Sequence, residues 1–67
     1  MPLVQITLAK GRTAEQLQAL GAAVTAAVHD SIGAPTENVR VVVQECEPEL
    51  WFIGGESLGA LRESGRR

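Results

Sequence analysis

Apolar and polar positions divide the chain into three periodic stretches, a short apolar segment and a polar end. From Leu3 to Leu8, Val4, Ile6 and Leu8 alternate with Leu3, Gln5 and Thr7, a period of two that predicts a β-strand. Lys10-Gly11-Arg12 breaks that period with a turn. Leu17, Leu20, Val24, Val28 and Ile32 then recur at helical spacing. Thr13-Ala14-Glu15-Gln16 reads as a capping box that starts this helix, and Gly33 followed by Pro35 stops it. Gly21, Ala22, Ala23, Ala26 and Ala27 keep much of the remaining surface thin, which lets the helix lie close to a sheet. Val39-Arg40-Val41-Val42-Val43-Gln44-Glu45 is a β-branched run that predicts a second strand, buried on both faces. Leu50 to Leu58, interrupted by Gly54-Gly55, predicts a small hairpin, and residues 59–67 read as a polar, flexible tail.

The order strand, helix, strand is one β-α-β unit, so the strands should run parallel with a right-handed crossover. The predicted class is α+β: a single domain over residues 1–67, with two parallel strands and a short C-terminal hairpin. Two parallel strands with Val-rich faces are not stable on their own. A chain of 67 residues also buries only about 60% of its unfolded surface. With Cys46 as the sole cysteine, no internal disulfide can form, and no Cys/His cluster suggests a metal, so oligomerisation is the remaining route to stability. Protomers are expected to join their sheets edge to edge. The net charge of −2 argues against a general nucleic-acid surface. No apolar run approaches the ~20 residues of a membrane span and no signal-peptide pattern opens the chain, so a cytoplasmic location is expected.

Candidate chemistry begins at Pro2. Removal of Met1, usual when Pro follows, would leave Pro2 with a free secondary amine, able to act as a base or to attack a carbonyl. Pro2 also has a plainer use, since a proline that merely starts a strand loses nothing by lacking its N–H. Arg12 and Arg40 are the cations to weigh beside it. Parallel pairing puts Arg40 near the Pro2 end, whereas six strand residues rise about 20 Å and carry Arg12 out of reach of its own Pro2. In a dimer with antiparallel strands across the interface, a partner's Arg12 approaches instead. Arg12 alone would pass for a solvated turn residue; Arg40, inside a Val-rich strand, needs water, an anion or a carboxylate. Two guanidiniums converging on the amine would bind a carboxylate substrate and disfavour protonation of the amine, and Trp51 and Ile53 would supply apolar walls. His29 lies off the apolar stripe and reads as solvated, as do Glu45, Glu47 and Glu49. Cys46 reads as an inert small hydrophobe. Gly54-Gly55 lacks the spacing of a phosphate loop.

Pro2 after Met1, Gly11-Arg12 after the first strand, Val39-Arg40-Val41 opening the second, and Ile53-Gly54-Gly55-Glu56 together resemble the 4-oxalocrotonate tautomerase family of the tautomerase superfamily. The resemblance runs from Pro2 to about Gly55. It implies that Pro2 is the catalytic N-terminal proline, moving a proton between oxygen and carbon of an enol or dienol. It implies that Arg12 binds carboxylate and draws electron density. Arg40, supplied by a neighbouring subunit, would hold the 2-hydroxy or 2-keto and carboxylate end. It also implies hexamers built as trimers of dimers. Trp51 and Phe52 depart from the family's usual phenylalanine and glycine, which bears on pocket shape; adjacent residues of an extended segment point to opposite sides, so Trp51 is expected to line the pocket and Phe52 to turn towards the core. Ile53 replaces the water-activating glutamate of related hydrolytic dehalogenases, which argues against a hydration reaction.

The resulting expectation is a cofactor-independent tautomerase, an isomerase acting on a small 2-hydroxydienoate or enol acid of the kind met in aromatic-compound catabolism. Pro2, Arg12 and Arg40 form the catalytic set, Trp51 and Ile53 the substrate wall, and no metal or cofactor is called for. Two rivals keep the fold: the same site used for decarboxylation or a biosynthetic step, and a non-catalytic subunit of a hetero-hexamer. The presence of Pro2, Arg12 and Arg40 together favours activity over a scaffold, and a homohexamer is the assembly expected.

Overall fold

The computed structural model describes the whole chain, Met1 to Arg67. Its elements in order are β1 (Leu3–Ala9), α1 (Ala14–Ile32), β2 (Arg40–Cys46), β3 (Phe52–Ile53), β4 (Glu56–Ser57) and α2 (Leu58–Glu63). Short 3₁₀ turns at Thr36–Asn38 and Pro48–Leu50 lead into β2 and β3. The fold is the β-α-β unit that the periodicity predicts. β1 and β2 pair in parallel from Leu3↔Arg40 to Ala9↔Cys46. The ladder continues one residue further at each end, where Arg40 N–H donates to the Pro2 carbonyl (2.9 Å) and Lys10 N–H to the Cys46 carbonyl (2.8 Å). β3 and β4 form the antiparallel hairpin.

Both ends of α1 are closed by the residues that predicted them. Gln16 N–H donates to Thr13 Oγ1 (3.1 Å) while Thr13 N–H donates to Gln16 Oε1 (2.9 Å), satisfying two amides that have no partner inside the helix. At the other end Gly33 adopts φ 74°, a left-handed conformation costly for any residue with a Cβ, and its N–H donates to the His29 carbonyl. His29 remains exposed, with Nδ1 donating to the Ala34 carbonyl at 2.8 Å. That bond ties the turn after α1 to the helix and takes up one ring nitrogen.

Three corrections to the sequence reading follow from the packing. First, β2 is not buried on both faces within one chain. Val41 and Val43 are half-buried, together with Val4, Ile6, Leu8 and the helix residues Leu17, Leu20, Val24 and Val28, whereas Leu3, Gln5, Thr7, Arg40 and Val42 face outwards. Val42 is 42% exposed because nothing in this chain covers the second sheet face. Second, residues 59–67 are not a frayed tail. Ser57 Oγ caps α2 by accepting the Ala60 N–H (3.1 Å), Leu58 and Leu61 turn inwards and are buried, and Gly65 at φ 76° closes the helix. Arg66 N–H then returns to the Leu61 carbonyl, completing the reverse turn. Third, Phe52, whose alternation with Trp51 suggested a place in the core, is 61% exposed.

Only Val39, Leu58 and Leu61 are buried, too little to hold a folded monomer. The shape agrees. The radius of gyration is 15.1 Å, against about 11 Å for a compact domain of this length. The accessible surface is 4788 Å², against roughly 4,100 Å² for a compact monomer of this mass. The extents of 44 × 23 × 16 Å are those of an elongated chain, whose hairpin is a sheet of its own, with β3 paired to nothing but β4.

Candidate active site

The sheet register sorts the predicted site residues into two groups. At the N-terminal end of the strands lie Pro2 and Arg40. Pro2 is half-buried, joined to β2 through its carbonyl. Met1 precedes it, 81% exposed, so the residue whose removal would free the proline nitrogen stands clear of the fold. The Arg40 guanidinium is exposed and donates from Nη1 to the Glu37 carbonyl in the turn before β2 (2.9 Å). That bond orients the head group and leaves its charge unneutralised, because a neutral carbonyl, not a carboxylate, is the acceptor.

Past the other end of β1 lies Arg12, while Trp51 and Ile53 lie beyond β2, at the hairpin. Arg12 follows Gly11, which takes φ 147° where the chain turns away from β1. Its side chain is exposed and joins neither of the structure's ion pairs, Lys10 with Glu47 (3.2 Å) and Arg66 with Glu56. The first of those pairs pins the end of β1 to the segment leaving β2. Trp51 is half-buried and its carbonyl accepts the Leu58 N–H (2.6 Å); Ile53, on β3, is more exposed. The seven residues of β1 rise about 23 Å, so the two groups cannot meet within one chain. The ladder sets Pro2 beside Arg40 and leaves Arg12 past the far end of β1.

The remaining surface is poorer in chemistry. An open groove of about 760 Å³ runs between α1 and β2, lined by Leu17, Gln18, Thr25, Val41, Val43 and Glu45 among others. It holds one carboxylate, one amide and two threonine hydroxyls, and none of the five predicted site residues. Cys46 is half-buried, its Sγ 3.6 Å from the Glu47 carbonyl. No three His, Cys, Asp or Glu side chains converge as metal ligands, and no helix is long and apolar enough to cross a membrane. What the periodicity missed is the framework behind the hairpin, namely α2 and the Glu56–Arg66 pair. Its signals were brief: a serine cap, two leucines three residues apart, and Gly65.

Comparison with known proteins supplies the class. A family model described as tautomerase enzyme matches residues 2–61, starting at Pro2. The 2-hydroxymuconate tautomerase of Comamonas testosteroni is 41% identical over 66 residues, covering 98% of this chain and 100% of its own. The crystal structure of TomN, a 4-oxalocrotonate tautomerase homologue in the tomaymycin biosynthetic pathway, superposes with TM-score 0.92 and 48% identity over 96% of this chain and 98% of TomN. A heterohexamer 4-oxalocrotonate tautomerase from Chloroflexus aurantiacus J-10-fl gives TM-score 0.86 and 39% identity, over 92% of this chain and 100% of the other. The fold and these likenesses define a small isomerase. The chain belongs to the tautomerase family, in its 4-oxalocrotonate tautomerase group.

Proposed function

We propose that the chain is a cofactor-independent tautomerase converting a small enol or 2-hydroxydienoate acid to its keto form, with Pro2 as base and then acid. The observation that carries this reading is the presence, in a chain whose family match begins at Pro2, of two arginines that have no carboxylate partner. With Met1 removed, the Pro2 nitrogen accepts the enol O–H proton. The electrons of that O–H bond form the carbonyl, and the carbon–carbon π bond shifts along the chain. The protonated amine returns the proton to the carbon at its far end. Atoms and electrons balance within substrate and proline, so no oxidant or metal is required. Arg12 and Arg40 bind the carboxylate and the oxygen on which charge accumulates, where charge-assisted hydrogen bonds act most strongly. Trp51 and Ile53 wall the site, excluding water and favouring the neutral amine that a base requires.

The site is completed between copies. Because each chain carries Pro2 and Arg12 some 23 Å apart, a partner whose β1 runs antiparallel brings its Arg12 to this Pro2. A trimer of such dimers, the homohexamer implied by the family resemblance, would also cover Val42 and the outer sheet face. The surplus surface of each chain, about 700 Å², is close to the ~800 Å² per partner of a standard interface. A second reading keeps this machinery and changes the substrate: Trp51-Phe52 in place of the usual phenylalanine and glycine, with 48% identity to TomN, favours a different acid from a biosynthetic route.

The test is an absorbance assay for enol-to-ketone conversion, using protein whose N-terminus is Pro2 and 2-hydroxymuconate as first substrate. Turnover above the buffer rate, lost in Pro2→Ala, is expected. Failure with this acid and with a panel of enol acids of varied size would leave a scaffold subunit.

A further inference from the structure

The apolar wall of the proposed site stands on a hairpin that cannot hold itself up. β3 and β4 have two residues each, and an isolated hairpin of far greater length is marginal in water. Gly54 and Gly55 at φ 61° and 88° give the tight turn between them, which fixes the direction of the hairpin but adds no packing. What holds it lies in the segment after it. The Leu58 N–H donates to the Trp51 carbonyl, and Ser57 both ends β4 and caps α2, so hairpin and helix share a residue. Leu58 and Leu61 are two of the three buried residues of the chain. Past α2, Gly65 turns the backbone so that Arg66 faces the hairpin again. There its Nη1 and Nη2 donate to the two carboxylate oxygens of Glu56, at 3.1 and 2.5 Å. Arg66 Nε donates to Ser64 Oγ (2.9 Å), so the guanidinium is oriented from behind as well.

Glu56 is the cross-strand partner of Ile53. A clamp on Glu56 is therefore a clamp on the position of Ile53, and through the Leu58–Trp51 bond on Trp51. We infer that Glu56 and Arg66 are positioning residues, a two-point ion pair that closes the loop from hairpin through α2 and back, and so sets where Trp51 and Ile53 stand when substrate binds. The inference rests on the proposal that these two side chains wall the site. An exposed ion pair with single-point geometry contributes little, but bidentate Arg–carboxylate geometry with a third bond holding the arginine is the case in which such pairs count. Its effect should fall on fit and not on proton transfer, since neither residue is among the groups that move the proton or bind the developing charge, Pro2, Arg12 and Arg40.

The experiment compares wild type, Arg66→Ala, Glu56→Ala and the exchanged pair Glu56→Arg/Arg66→Glu, all N-terminally processed and shown by native mass to have the same assembly. Trp51 is the sole tryptophan, so acrylamide quenching of its emission reads the hairpin directly, alongside kcat and KM for an enol acid. Each single variant is expected to raise KM by about two- to fivefold, leave kcat within error and make Trp51 easier to quench. The exchanged pair should recover both readouts in part. Quenching and KM unmoved in both single variants would overturn the inference. Quenching that changes while KM does not would overturn it too, by showing that the hairpin moves without consequence for substrate. If the wild type turns over no enol acid, the tautomerase proposal fails by itself, and the quenching series still decides whether the pair holds Trp51.

Discussion

Exchange of subunits between inactive variants puts the shared site to a quantitative test. Pro2→Ala replaces the secondary amine by a primary one of different basicity and reach, and Arg12→Ala removes a charge-assisted hydrogen bond of ~1.5–3 kcal/mol, roughly a ten- to hundredfold loss. Loss of a general base costs about 10²- to 10⁴-fold, so the Arg12→Ala parent should retain about a tenth of wild-type turnover at most and the Pro2→Ala parent about a hundredth. Within one chain the two residues stand at opposite ends of the seven-residue β1, on the order of 23 Å apart. An intact site must therefore draw Pro2 from one chain and Arg12 from another. If equal amounts of the two variants are unfolded together and refolded, chains assort at random. About a quarter of the sites then pair an intact Pro2 with an intact Arg12 across the two-fold interface. Turnover near a quarter of wild type is the expected result, measured by enol-ketone absorbance with native mass confirming mixed oligomers. The same mixture made with Arg40→Ala in place of Arg12→Ala asks which chain supplies Arg40. Its backbone adjoins its own Pro2, but its side chain lies on the open sheet face, and a neighbouring subunit is expected to receive it. Rescue is again predicted. Mixed oligomers whose activity stays at the average of the parents would refute the shared site.

Other outcomes follow from the same geometry. Sedimentation or native mass across micromolar dilution should show an oligomer with no folded monomer, and a stable monomer would contradict the interface argument. Arg40→Ala by itself should leave assembly intact and raise KM for acid substrates about tenfold or more, read from steady-state kinetics. Trp51→Phe should change the ranking of acids of different bulk more than it changes unfolding. Leu61→Ala, which empties part of the buried cluster beneath α2, should cost about 2 kcal/mol or more in denaturant unfolding at fixed protein concentration.

Much of this architecture is legible in the sequence because local signals and global fold agree. Thr13 and Gln16 mark the start of α1 and Gly33 its end, and the structure uses each for that purpose. Parallel pairing of β1 and β2 follows from the helix that must connect them. The candidate site residues stand out by type: a proline next to the initiator and two arginines at strand ends. What was illegible depends on chain not yet in place. Period two says that Trp51 and Phe52 point to opposite sides, but which side is interior depends on a neighbouring copy, and in one chain Phe52 lies open. The same holds for Val42, whose apolar character fits a face that only assembly can cover. α2 escaped for a different reason. Six residues with two leucines and a glycine give too short a period to separate from a polar tail, and its closing pair joins Glu56 to Arg66 across ten positions.

The central claim is that the nitrogen of Pro2 is the base. With Met1 attached, that nitrogen is an amide whose lone pair is delocalised into the carbonyl and cannot take a proton from substrate. The direct measurement sets intact mass against enol-ketone turnover across preparations that differ only in the fraction of chains retaining Met1. Turnover proportional to the fraction beginning at Pro2, and falling to the buffer rate when an extra residue precedes it in an otherwise unchanged oligomer, is the result predicted. Full turnover in material that keeps Met1 would contradict it.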